Sequence, residues 1–271
     1  MQLERVSHSN GPVYFVSPRL REIGVPHAFS TRLGGLSPAP FDSLNLGNPA
    51  GDIRDDRERI LDNYRLLEDS AGFAGRERCW LHQIHSAVVA RVGSKSPHDN
   101  SSQGDALVTS DPAFALSVRV ADCCPVLLAS NDGKRVAAIH SGWRGTVGDA
   151  TGVALTELMK SDANGLSVAP KNIVAAIGPC IGFDAFEIGA EVLDEFERML
   201  GADAPIRRRA DEKGYADIRE SIRIMLLRAG VPEQNIDTTD RCTHRDAAEF
   251  YSHRRENGVT GRMAAIIAVK R

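Results

Sequence analysis

Residues 135–145 read RVAAIHSGWRG, and residues 172–182 read NIVAAIGPCIG. Each is a short apolar run that stops at a polar residue or a glycine and passes into a glycine-containing turn. A run of four to six buried residues bounded in this way predicts a strand. The echo is too short to establish a duplication, but it predicts two strands that deliver their C-terminal ends to similar positions. Strand ends are where a rigid sheet carries variable loops, so binding and catalytic residues collect there.

Further apolar, β-branched runs at 13–16, 87–92, 106–109, 115–120 and 263–269 predict more strands, alongside 136–139 and 173–177. Helical periodicity is clearest over 217–229. There Ile218, Ile222, Met225, Leu226 and Ala229 share one face, Asp217 caps the start and Gly230 stops the helix. Segments 55–67, 147–159 and 190–200 also read as helices, and the polar stretches 95–104 and 207–214 read as loops, the second a mobile one. No linker divides the chain. The expectation is a single catalytic domain over 1–271, of α+β class, with mixed β-sheets and helices packed on their outer faces.

The chain has 271 residues, 42% of them hydrophobic and 25% charged, which is ample for a buried core. A net charge of −3 gives no electrostatic reason to expect nucleic acid or an anionic membrane as partner. A small anionic substrate needs only two or three local cations and stays open. No apolar run follows the first basic residue, so no secretory leader is expected, and no stretch approaches membrane-spanning length. The five cysteines are odd in number, two are adjacent, and no C-x-x-C occurs. Reduced thiols in a cytoplasmic protein are expected.

Three motifs place a good metal ligand at a strand end or in a tight turn: WLHQIHS at 80–86, VADCCP at 120–125 and IHSGWRG at 139–145. His85, Cys123 and His140 make a His₂Cys set. That set suits zinc and leaves a fourth tetrahedral position for water or substrate. On residue type alone, a strand-end histidine also reads as a satisfied structural residue and a buried cysteine as a small hydrophobe. No generic rule links these spacings. Asp105 and Asp122 flank the set and could orient a ligand histidine or move a proton. His82 reads equally as a neighbour of the site or a surface residue. Cys180 reads as packing, and Arg254 and Arg255 as solvated surface. Arg32, beside two glycines, could present its fork to phosphate or ribose, or simply lie on the surface. Arg144, at an apparent helix start, could hold an anion or stack on Trp143.

Eight segments run in order along nearly the whole chain: FSTRLGG at 29–35, SLNLG at 43–47, LHQIHS at 81–86, GDALVT at 104–109, ADCCPVLL at 121–128, AAIHSGWRGT at 137–146, GPCIG at 178–182 and TGRMAAII at 260–267. Together they resemble the family first described as multi-copper polyphenol oxidoreductases, or laccases, and later reassigned as zinc-dependent purine nucleoside phosphorylases. The resemblance implies His85, Cys123 and His140 as metal ligands and catalytic centre, with one zinc per chain. It implies Arg32, Asn45, Gln83 and Arg144 at substrate or phosphate. It implies that adenosine, inosine, guanosine and methylthioadenosine are cleaved by phosphate to a base and a sugar 1-phosphate, and that adenosine is also deaminated. A monomer is expected, with no nucleic-acid or membrane partner. Cys124 stands where an apolar residue would follow the ligand cysteine, so two adjacent thiols compete for one position.

Two other enzyme readings exist. A copper polyphenol oxidase would need several His-x-His pairs, and the eight histidines here form none. A cysteine hydrolase would use Cys123 or Cys124 as nucleophile with His85 or His140 as base, and no metal. A non-catalytic nucleoside-binding protein would likewise need no metal. The His-x-Glu and Pro-Cys-x-x-Cys signature of cytidine-type deaminases is absent.

Overall fold

The computed structural model describes residues 1–7, 9, 11–94, 99–160 and 166–271. In chain order its elements are β1 (Glu4–Ser7), β2 (Val13–Val16), α1 (Pro18–Glu22), β3 (His27–Ser30), α2 (Arg57–Ala71), β4 (Glu77–Cys79), β5 (Val89–Val92), β6 (Ala106–Thr109), β7 (Phe114–Val120), β8 (Cys124–Ser130) and β9 (Val136–Ser141). There follow α3 (Trp143–Val147), α4 (Ala150–Met159), β10 (Ile173–Ile177), β11 (Glu187–Gly189), α5 (Ala190–Leu200), β12 (Ile206–Arg208), β13 (Lys213–Ala216), α6 (Ile218–Arg228), β14 (Ile236–Asp237) and β15 (Met263–Ile267).

Two six-stranded sheets stack face to face. One runs β1-β2-β3-β15-β7-β4 and the other β14-β10-β8-β9-β6-β5. Both are mixed: β4 pairs β7, β5 pairs β6 and β10 pairs β14 in parallel, and the remaining pairs are antiparallel. Every residue of β8 and β9 is buried, because each face of this sheet meets another layer. Alternation sorts the side chains. Leu127, Ala129, Val136 and Ala138 face the first sheet and pack on Leu116, Val118 and Ile267. Val126, Leu128, Ala137 and Ile139 face the other way, onto Leu155 of α4, Phe196 of α5 and Ile222 of α6. On the outer face of the first sheet, Tyr64 and Leu67 of α2 cover Val16, Ala28 and Ile266. The single-domain α+β expectation, with helices on the outer faces, holds.

Local differences have local causes. The expected helix 147–159 is split, because Asp149 takes a left-handed conformation (φ 57°) and caps α4 through the amide of Gly152. Segment 207–214, expected as a mobile loop, contributes to a hairpin in which Arg207 pairs Tyr215 and Arg208 pairs Gly214, with β11 completing a three-stranded sheet. Its arginines are spread along an exposed face and bind Asp184, Asp194 and Glu187, so charge hid the strand pattern. Strand β8, outside the expected runs, begins at Cys124-Pro125, residues that weaken a strand pattern in sequence although the sheet buries them. Of loop 95–104, residues 95–98 lie outside the described residues. Helix α6 begins as expected, with the Asp217 carboxylate accepting from the Glu220 amide at 2.9 Å.

The buried His27 links stability to pH. The His27 ring accepts from the Ser17 amide at Nε2 (2.6 Å) and donates from Nδ1 to the Val25 carbonyl (2.8 Å), an arrangement only the neutral ring can make. Burial is the main cause that brings its pKa down to about 4. An unfolded chain would protonate near the ordinary value of about 6.5. Stability is therefore fully present above that value and falls as pH drops from about 6.5 toward 4, by an order of 3 kcal/mol. Urea melts across that range should steepen in this way for the wild type and be flatter in His27→Gln. Equal pH slopes in the two proteins would remove His27 as the cause.

Candidate active site

The loop before β5, the entry to β8 and the end of β9 converge where the two sheets meet. His85 sits in the first, Cys123 immediately before the second and His140 in the third. Their ligand atoms all lie within 4.8 Å of one another. The Cys123 sulfur is 3.9 Å from His85 Nε2, and the two imidazoles meet edge to face at 5.0 Å. His85 is exposed, Cys123 half-buried and His140 buried, so the cluster opens on one side only. This group can hold a metal ion.

Backbone and side chains are shaped to bring the three together. His85 has a positive φ of 59°. A Cβ at Gly142 would stand 2.9 Å from the Cys123 sulfur and 3.1 Å from the His85 ring, so only glycine leaves the cluster its space. Strand parity separates the two thiols. Cys123 packs with the residues between the sheets, whereas Cys124 points to the helical side, fully buried, with its sulfur toward the Gly178 carbonyl. Burial pushes the Cys124 thiol well up.

Asp105 is the hub. Its Oδ1 accepts from His140 Nδ1 at 2.8 Å and from the His85 amide at 3.0 Å. Its Oδ2 accepts from the Ser86 amide (2.6 Å) and hydroxyl (2.8 Å), and its own carbonyl receives the His140 amide. One carboxylate therefore fixes the tautomer of one histidine and the loop of the other, leaving His140 Nε2 toward the cluster. Burial opposes ionisation of Asp105, but the bonds from His140 and Ser86 win and bring its pKa to about 2. Burial likewise opposes the Cys123 thiolate and the His140 imidazolium. Each stabilises the other by charge and hydrogen bond, and Asp105 adds to His140, so Cys123 falls to about 6 and His140 rises to about 9. Asp122 is a brace: its carboxylate accepts from Thr243, Ser252 and the Arg254 amide, tying 243–254 to the site.

A cavity of about 890 Å³ opens over the cluster, within the range of small-molecule sites. His82, Gln83, His85, Cys123 and His140 line it together with Trp80, His253 and the arginines 54, 57, 78, 119, 254 and 262. The four expected substrate or phosphate residues sit as follows. Gln83 reaches the cavity, but its amide is engaged with the backbone N–H and C=O of Arg119, both at 2.8 Å. Asn45 is buried beneath it and accepts the Arg262 amide at 2.9 Å. Arg32 does not line the cavity: it lies over the Tyr251 ring and pairs with Asp42 and Glu256. Arg144 does not line it either, and is exposed with its guanidinium over Trp143. Arg254, expected at the solvated surface, lines the cavity, and Arg255 braces the carbonyls of Thr243, His244 and Phe250. The cavity arginines 54, 57, 78, 119 and 262 escaped sequence reading. The signal for Arg119 was a lone arginine near the end of an apolar strand, and for Arg262 its place in the segment TGRMAAII just before β15.

The family model described as multi-copper polyphenol oxidoreductase laccase matches residues 12–270. The chain belongs to this family. It is 35% identical over 254 residues to Purine nucleoside phosphorylase YlmD of Geobacillus stearothermophilus, covering 90% of each chain. It is 36% identical to Purine nucleoside phosphorylase YfiH of Escherichia coli, covering 90% of this chain and 93% of that one. The crystal structure of YlmD from Geobacillus stearothermophilus superposes with a TM-score of 0.86 at 30% identity, over 98% of this chain and 99% of that one. A Bacillus licheniformis hypothetical protein, YfiH, gives 0.85 at 25% identity, over 98% and 99%. Among the described residues of this laccase-family chain, no helix is long and apolar enough to cross a membrane.

Proposed function

We propose that this chain is a zinc-dependent purine nucleoside phosphorylase. It would cleave adenosine, inosine, guanosine and methylthioadenosine with phosphate, deaminate adenosine with water, and act as a cytoplasmic monomer. The observation that carries the reading is the His85–Cys123–His140 cluster at the floor of a cation-lined cavity, in a chain whose relatives along nine-tenths of its length bear the phosphorylase name. The five free cysteines suit a reducing compartment.

Zinc fits the donor set. Bonds of about 2.3 Å to sulfur and 2.0 Å to nitrogen put those atoms about 3.5 Å apart in a tetrahedron. The 3.9 Å between Cys123 and His85 is within a few tenths of an ångström of that. Three protein ligands with one open side are the arrangement of a catalytic zinc. Copper oxidase chemistry gains no support, because the eight histidines supply no His-x-His pair.

Bound zinc would supply Lewis-acid polarisation and a water of lowered pKa. The chain supplies the rest. In phosphorolysis a phosphate oxygen forms a bond to C1′ while the C1′–N bond breaks, and the base leaves with the electron pair and takes up a proton. The cationic wall favours the anionic reactant, Trp80 offers a flat face for a purine, and the His82 and His253 side chains on the cavity wall are candidates to pass a proton to the leaving base.

A second reading draws on one observation. Cys123, His140 and Asp105 form a thiolate–imidazolium–carboxylate series, as a cysteine hydrolase would need. Elemental analysis of purified protein, together with inosine cleavage with and without phosphate, separates the two. Phosphorolysis predicts about one zinc per chain, trace copper, and cleavage that stops without phosphate or after chelation. Metal-free protein that stays active toward an ester or amide and dies on thiol alkylation would replace this reading with the hydrolase.

A further inference from the structure

We propose that Arg119 and Arg262 form the seat of inorganic phosphate on the cavity wall beside Cys123; the assignment rests on the phosphorylase reading above.

The two arginines reach the same place from distant parts of the chain. Arg119 lies in β7 opposite Ala264 of β15, and Arg262 immediately precedes β15. Both line the cavity with His85, Cys123 and His140. They meet over Gly47, where a Cβ would stand 2.9 Å from Arg119 Cδ and 3.5 Å from both Arg119 Nη1 and Arg262 Cβ. A side chain at position 47 would therefore crowd the pair.

Their partners leave an anion to be supplied. Arg32, Arg59, Arg78 and Arg223 each pair with a carboxylate. Arg119 and Arg262 have no carboxylate partner among the described residues. Arg262 donates from Nη1 to the carbonyls of Thr260 (2.9 Å) and Gly261 (3.0 Å), and Arg119 donates from Nη2 to the Leu81 carbonyl (3.5 Å). Those bonds aim each guanidinium while leaving its Nε and other terminal nitrogen for a ligand. Two like charges in a partly desolvated wall repel, and a dianion between them removes that repulsion while accepting bidentate, charge-assisted bonds.

Both arginines are held from behind. The Gln83 amide closes on the backbone N–H and C=O of Arg119, and Asn45 Oδ1 accepts the Arg262 amide. Gln83 and Asn45 thereby become positioning residues, since neither needs to touch the substrate to serve the site. Phosphate seated here would lie beside the metal cluster in the same cavity, where a nucleophile for C1′ is required.

The test uses the zinc-loaded enzyme and its Arg119→Gln, Arg262→Gln, Arg119→Lys and Arg262→Lys variants. Inorganic phosphate is titrated alone by calorimetry, and KM for phosphate and for inosine are measured separately. Each Gln variant should weaken phosphate binding and raise phosphate KM about tenfold to a hundredfold. Inosine KM should stay within about twofold, because the contact is to the other substrate. The Lys variants keep the charge but lose the fork and should fall between; they serve as the reading wherever a Gln variant fails to fold. Unchanged phosphate binding in both pairs, or inosine KM rising in step with phosphate KM, overturns the assignment. Wild type that binds phosphate here but cleaves no nucleoside keeps the seat and removes the phosphorylase reading. Phosphorolysis with unaltered phosphate dependence in the variants does the reverse.

Discussion

Cys123→Ala should lose its metal and its nucleoside cleavage, while Cys124→Ala should keep both. Cys123 contributes the only anionic donor of the three-residue cluster, and its sulfur is the atom facing His85. Zinc held by four ligands in small peptides is bound by about 10–16 kcal/mol, so one ligand is worth an order of 3 kcal/mol, or about a hundredfold to a thousandfold in affinity. Cys124 lies on the opposite face of β8, fully buried among Val126, Ile139 and Ile177. Its truncation removes only one sulfur from that packing, at an order of 1 kcal/mol in stability. Metal per chain, measured after equilibration with buffered zinc, decides the matter. Metal kept in Cys123→Ala and lost in Cys124→Ala would place the ligand on the other side of the strand.

Asp105→Asn should weaken zinc binding about tenfold to a hundredfold without touching a ligand. The carboxylate accepts donors on both oxygens: His140 and the His85 amide on one, the amide and hydroxyl of Ser86 on the other. An asparagine amide has one acceptor oxygen and would turn its NH₂ against one of these donor sets. Either His140 loses its orientation or the His85 loop loses its anchor. Each broken charge-assisted bond costs about 1.5–3 kcal/mol, so the melting temperature should fall as well. A competition titration against a chromophoric chelator reads the affinity. Zinc affinity and melting temperature both equal to wild type would remove Asp105 as the positioning residue.

How much of this was legible beforehand depends on how local each feature is. Strand runs such as 136–139 and 173–177 and the helix opened by Asp217 are properties of neighbouring residues, and spacing of two or 3.6 reveals them; the metal-ligating set was legible only through the resemblance of its three motifs to a known family. The hairpin at 207–214 was missed because its charged, exposed arginines mask the alternation, and the residues it turns inward beside them are only Ile206, Gly214 and Ala216. The break before Ala150 was missed because it turns on one non-glycine residue with positive φ.

The sequence by itself determined the class of fold, and its motifs, through the family they resemble, the His-Cys-His set that can hold a metal. Only the tertiary structure decided which of two adjacent thiols faces that set, that Asp105 binds both histidine segments, and that Arg119 and Arg262, not Arg32 or Arg144, border the cavity. The physical reason is the same in each case. Side-chain identity is local, but which face a strand turns inward and which charges meet across a sheet follow from long-range register, here Ala264 opposite Arg119 and Pro125 opposite His140.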